Sequence, residues 1–152
     1  LLFSEGCLEG SPQPDSWEPA LKYARNYLHD LNNGCEGFLD WNLLLDREGG
    51  PNHLGNFCHA PILADTASGT INENSAYYAI GHFSRVIRAG AVRIGVESNK
   101  AAATAVQNPD GSLACVLLND SDTPRSLQIV CGETSTHVIR MEPYSLASYV
   151  FR

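Results

Sequence analysis

The chain has 152 residues, 43% of them hydrophobic, which is enough apolar material for a folded core at the length of one ordinary domain. Its net charge of -7, from 17 acidic and 10 basic residues without any Lys/Arg cluster, excludes the electrostatic footprint of a nucleic-acid-binding protein. The longest apolar runs, such as Cys115-Val116-Leu117-Leu118, are far too short for a transmembrane segment.

The chain opens on Leu1-Leu2-Phe3-Ser4-Glu5-Gly6-Cys7, an apolar stretch that delivers a carboxylate into a small-residue turn. Such a run fits a buried parallel strand, and barrel enzymes place catalytic groups at the C-terminal ends of such strands. A solvated Glu at a strand end is the plainer alternative. Because the chain starts on a core strand and not on Met, an N-terminal part is expected to precede it, with any targeting signal. Pro12 and Pro14 then mark a loop, and Asp15 or Ser16 can cap a helix. Trp17, Leu21, Ala24, Leu28 and Leu31 recur at helical spacing until Asn33-Gly34 ends it. Glu18-Pro19 suits the first turn of that helix, where both residue types stabilise.

The next strand is expected over 37–45. It is apolar at both ends but carries Asp40, Trp41 and Asn42 in its middle, which a plain core strand would avoid. A long connection containing Gly49-Gly50-Pro51-Asn52 follows, of a length that suggests a functional loop. A second helix is predicted from Asn74 to Ile87, with Gly90 as its stop. From Ala91 the pattern changes to short strands at 92–96, 103–106, 113–118, 127–130, 137–141 and 146–151. Asn108-Pro109-Asp110-Gly111 is a strong hairpin turn. Regular strands without helices imply an antiparallel β-sandwich. The chain is thus α/β followed by all-β, with strand-helix-strand-helix over 1–88 and a β domain over 89–152. Two βα units cannot close a (β/α)₈ barrel, which needs eight strands.

The five cysteines, Cys7, Cys35, Cys58, Cys115 and Cys131, show no C-x-x-C pairing, so neither a disulfide scaffold nor a zinc site is indicated, and most are expected to be buried free thiols. His53 and His59 flank Cys58 without metal-ligand spacing. Asn119-Asp120-Ser121 has the form of a glycan acceptor.

Phe3-Ser4-Glu5-Gly6-Cys7, Asp40-Trp41-Asn42-Leu43, Glu48-Gly49-Gly50-Pro51-Asn52, Asn56-Phe57, Pro61-Ile62, Asp65 and Gly81-His82-Phe83-Ser84 with Arg93 follow one another in an order and spacing that resemble the glucosylceramidases of glycoside hydrolase family 30. The likeness runs from the first residue to the last strand. It implies that the opening strand is the seventh of a (β/α)₈ barrel, that the strand around Phe38 is the eighth, and that the β domain is the sandwich beside the barrel. Glu5 then matches the family's nucleophile, Cys7 a residue lining the same pocket, Trp41 a sugar-contacting aromatic, and Asn56 and Phe57 loop residues at the pocket mouth.

Gly6 departs from the Ala often found there, and the stretch from Leu8 to Asp15, beside the substrate entrance, is hard to align. On the residues alone Trp41 could be a core aromatic, and Asp40 more readily orients neighbours than reacts. The resemblance implies a retaining β-glucosidase acting on glucosylceramide-type substrates, secreted or lysosomal, in sphingolipid and carbohydrate metabolism. A β-1,6-glucanase or β-xylosidase of the same family, or a non-catalytic sugar-binding β module, are the competing readings. No metal or organic cofactor is implied. The family's acid/base, in an Asn-Glu-Pro motif on an earlier strand, has no counterpart here, so the remainder of the barrel is the expected partner and the isolated chain is expected to be inactive.

Overall fold

A computed structural model describes residues 1–10 and 15–152. The loop assigned to Pro12 and Pro14, with much of the Leu8 to Asp15 segment, lies outside the described residues. The chain forms two compact units, Leu1–Gly81 and His82–Arg152. They meet inside the second helix, earlier than the change of sequence pattern after residue 88.

In the first unit β1 (Leu2–Gly6) pairs in parallel with β3 (Gly37–Asp40), with β2 (Leu8–Glu9) and α1 (Glu18–Asn32) between them in the chain. Helix α1 starts as the sequence implies. Pro19 lies in its first turn, Glu18 adds the acidic residue favoured there, and the Ser16 hydroxyl accepts the Glu18 N–H at 3.3 Å. At its other end Gly34 takes a left-handed φ of 89°, which a residue with a Cβ adopts only under strain. The buried face contains Leu21, Ala24 and Leu28 as predicted, and adds Tyr23 and Tyr27. Tyr27 stacks on Phe38 of β3, ring centroids 4.0 Å apart, and Tyr23 meets Tyr27 edge-on at 5.7 Å, so an aromatic layer seats the helix on the strand.

The strand expected over 37–45 is broken. Its polar centre leaves the ladder after Asp40, and β4 (Leu44–Asp46) belongs to a different sheet, ordered β4-β6-β7, with β6 (Ile62–Asp65) and β7 (Thr70–Glu73). Thus the long connection is structured. Its β5 (Cys58–His59) pairs antiparallel with β2, and β4 runs parallel to β6 with Leu44 opposite Ile62. Leu45, Cys58 and Ala60 form a small buried cluster beneath it. Helix α2 spans Ser75–Ser84 and gives way to turns before Ile87, shorter than predicted.

In the second unit β8 (Val92–Ile94), β9 (Ala102–Gln107), β10 (Leu113–Asn119) and β15 (Ser145–Phe151) make an antiparallel sheet ordered β15-β10-β9-β8. Its centre is β10, buried along nearly its whole length, which matches its continuous apolar run. The turn from Asn108 to Gly111 joins β9 to β10 as predicted. Gly111 has φ 84°, and the Asn108 N–H donates to the Ser112 carbonyl at 2.8 Å. The remaining strands are shorter than expected: β11 (Arg125–Leu127) pairs with β14 (Ile139–Met141), and β12 (Val130–Cys131) with β13 (Thr134–Ser135).

Asn119 overturns the glycan reading. It is 1% exposed, and its amide nitrogen donates to the carbonyls of Thr123 at 2.9 Å and Glu142 at 2.8 Å. Its Oδ1 accepts the Ser121 hydroxyl at 2.7 Å. The triplet closes a turn, and in the folded chain its nitrogen is committed to the backbone. The thiols also differ from expectation: Cys58 and Cys115 are buried, Cys35 and Cys131 are partly covered, and Cys7 is exposed.

Candidate functional site

Strands β1 and β3 run in the same direction, so the residues at their C-terminal ends, Glu5-Gly6-Cys7 and Asp40-Trp41, share one edge of the pair. The register slips between Phe3 and Gly6, where β1 gains a residue on β3. Such a bulge re-aims side chains next to active sites. Beyond it the Trp41 N–H donates to the Gly6 carbonyl at 2.7 Å, fixing the tryptophan backbone to the strand that carries Glu5. Glu5 itself is exposed.

Gly6 fits closely against β1's own Phe3. A Cβ at Gly6 would run into the edge of that ring, with Phe3 Cζ at 3.2 Å. Gly6→Ala is therefore expected to destabilise by about 1–2 kcal/mol through overpacking, and by less in a Phe3→Leu background. A double-mutant cycle by chemical denaturation measures this coupling.

Asp40 is half-buried, and that desolvation raises its carboxyl above the usual range. The Tyr23 hydroxyl, 2.8 and 2.9 Å from its two oxygens, and the Trp41 N–H oppose the rise by favouring the carboxylate. Burial and the Asp40 charge push Tyr23 up in turn, so it stays a donor. A raised carboxyl binds its proton more tightly folded than unfolded. Its contribution to stability is present below the unfolded-state value and is lost as pH rises through the folded one. Tyr23→Phe removes a hydrogen bond to the ionised form. The expected result is a further rise of the Asp40 carboxyl in an NMR titration and a loss of about 1.5 kcal/mol at neutral pH, low in the range for charged partners because the pair is only part-buried.

Trp41 and Asn56 come together. With Asn42, Asn52, His53 and Cys58 they line an open cavity of about 350 Å³. Trp41 is 56% exposed there. Gly49 and Pro51, which also line the cavity, belong to a turn shaped by Asp46. Its Oδ1 accepts the N–H groups of Glu48 at 2.9 Å and Gly50 at 2.8 Å, while its own N–H donates to the Gly50 carbonyl at 2.6 Å. Gly49, with φ 85°, permits the reversal.

The other predicted residues lie elsewhere. Phe57 is 40% exposed outside that cavity, and its carbonyl accepts the Gly10 N–H at 3.0 Å. Cys7 borders a smaller hollow with Phe3, Tyr23 and Phe38, and its sulfur lies 3.4 Å from Cys58 Sγ. Burial and the neighbouring Cys58, Asp40 and Glu9 push the Cys7 thiol up to about 11. Sequence reasoning missed Cys58 and His53 as cavity residues. Their only signal was proximity to the Gly-rich run at 49–52.

Residues 3–87 match the glycosyl hydrolase family 30 TIM-barrel domain, and residues 90–149 match the glycosyl hydrolase family 30 beta sandwich domain. The lysosomal acid glucosylceramidase of Mus musculus is 32% identical over 160 residues, covering 100% of this chain and 31% of the mouse protein. Among solved structures, SrfJ from Salmonella typhimurium superposes with a TM-score of 0.85 at 35% identity, over 100% of this chain and 35% of its own. An endo-β1,6-glucanase superposes with a TM-score of 0.81 at 30% identity, over 99% of this chain and 35% of its own. The chain spans about a third of the length of these relatives.

Proposed function

The chain belongs to glycosyl hydrolase family 30, joining part of the family's TIM barrel to its β-sandwich, and from that premise we propose that it carries the nucleophile half of a retaining β-glucosidase of the glucosylceramidase type. The carrying observation is the shared edge of β1 and β3, which sets Glu5 and Trp41 at the C-terminal ends of neighbouring parallel strands. Glu5 attacks the anomeric carbon and forms a covalent glycosyl-enzyme. The leaving oxygen takes a proton from a second carboxyl group, and that group then activates the water that releases the sugar. The two carboxyl groups of a retaining pair stand about 5–5.5 Å apart, and the second comes from the remainder of the barrel. Exposed apolar residues on the pair, Leu2 and Leu39, support a further layer of barrel packing against it. By itself the chain is expected to hydrolyse no glycoside.

Trp41 serves as the aromatic platform for the glucosyl ring, with Asn56 beside it, Cys7 behind it, and Phe57 toward the aglycone. Glucosylceramide is the preferred substrate, in line with the mouse relative's name. Incubating the full-length enzyme with a 2-fluoro-glucoside inactivator and mapping the label by mass spectrometry tests the assignment. A label on the Glu5 peptide is expected, whereas a label on Glu9 or Asp40 overturns it. Turnover of β-1,6-glucan in preference to glucosylceramide would move the substrate class to that of the glucanase neighbour.

Trp41→Ala in the full-length enzyme is expected to lower kcat/KM by about 1–3 kcal/mol of transition-state binding, on aryl β-glucosides and glucosylceramide alike. Phe57→Ala is expected to penalise the lipid substrate more than the aryl glucoside, and parallel kinetics on the two substrates separate the roles.

A further inference from the structure

Cys7 leaves the strand that carries Glu5, and Cys58 opens β5 in the wall of the Trp41 cavity. The pairing of β2 with β5 sets Glu9 opposite Cys58 and Leu8 opposite His59. Cys7 and Cys58 are therefore diagonal neighbours on one face of an antiparallel pair, where side chains reach each other. Their sulfurs stand 3.4 Å apart. A disulfide bond measures about 2.05 Å, so closing the gap takes about 1.4 Å of movement, which side-chain torsions and a small strand shift supply. Both are free thiols, and their exposure is unequal: Cys7 is exposed and Cys58 is buried. That asymmetry gives an accessible attacking thiol with a protected resolving thiol within reach of it.

We propose that Cys7 and Cys58 form a reversible intramolecular disulfide when the protein meets a peroxide, a modification site that ties the end of the Glu5 strand to the wall of the sugar cavity. The Cys7 thiolate attacks one peroxide oxygen, the O–O bond breaks, and water leaves to give a sulfenic acid. The Cys58 sulfur then attacks the Cys7 sulfur, the S–S bond forms, and the S–O bond breaks with loss of a second water. Two thiols and one peroxide become one disulfide and two waters; the sulfurs lose two electrons and the peroxide gains them. A dithiol reductant reverses the change. Burial, with Cys58, Asp40 and Glu9 near it, keeps Cys7 largely a thiol at neutral pH, so the first step is slow.

The inference stands apart from the glycosidase reading, since its readout is the bond and not turnover. The full-length protein is treated with hydrogen peroxide, its remaining thiols are alkylated under denaturing conditions, and a non-reducing digest is mapped by mass spectrometry. The expected result is a Cys7–Cys58 linked peptide, lighter by two hydrogens than its parts, that disappears after dithiothreitol. In Cys58→Ser the bond cannot form, and dimedone is expected to capture a sulfenic acid at Cys7 in its place. Recovery of Cys7 and Cys58 as alkylated thiols after peroxide, or of Cys7 bonded to a different cysteine, overturns the proposal. Neither outcome alters where a fluoro-glucoside label falls.

Discussion

Glu5→Gln in the full-length enzyme is expected to lower kcat by on the order of 10⁴-fold or more, a loss of about 5.5 kcal/mol or more of transition-state stabilisation. The amide keeps the shape of the side chain but cannot attack as an anion, and no neighbour inherits the role: Asp40 is engaged by Tyr23. Because glutamine has nearly the shape and volume of glutamate, the change disturbs no packing, and the thermal midpoint is expected to hold. Steady-state kinetics on an aryl β-glucoside, with circular dichroism melting, separates lost chemistry from lost fold. Wild-type turnover in Glu5→Gln would remove Glu5 from the mechanism.

Leu118→Ala should produce the largest loss of stability from a single side chain. Leu118 is 1% exposed in β10, opposite Ala102 of β9 and Leu146 of β15. Truncation there removes buried methyl groups from a strand covered on both faces, at a cost of about 2–5 kcal/mol depending on how far the site collapses. Val130→Ala makes the contrast. Val130 is 68% exposed, and its truncation is expected to stay within about 0.5 kcal/mol. Urea unfolding of both variants tests the pair. Equal effects would mean that β10 is not the centre of the second unit's core.

What the sequence makes legible follows from where the information lies. The apolar run 113–118, the turn residues Asn108 to Gly111 and the helical spacing from Leu21 to Leu28 are local signals, and each became the element expected. Strand β5 pairs with the distant β2, and β6 with β4, where Leu44 stands opposite Ile62, so no local pattern announces them; β6 and β7 form a local hairpin across residues 66–69 that the sequence reading passed over. The segment 37–45 reads as one strand by its apolar ends, but the ladder ends at Asp40, opposite Gly6, and the chain turns away at Trp41 and Asn42. The pairing of Trp41 with Asn56 in one cavity depended on the resemblance, because the fourteen residues between them, β4 included, carry no period. The isolated triplet at Asn119 shows the reverse failure: a motif read from three letters was a buried turn.

The Asp46 turn bears on the thermodynamics of sugar capture. One carboxylate oxygen already holds the N–H groups of Glu48 and Gly50, so this stretch of the cavity lining is ordered before any ligand arrives. Its conformational entropy is lost during folding and is not lost a second time on association. If the cavity takes the sugar as proposed, binding to this wall is therefore expected to resemble docking onto a rigid surface, with the loop backbone keeping its path.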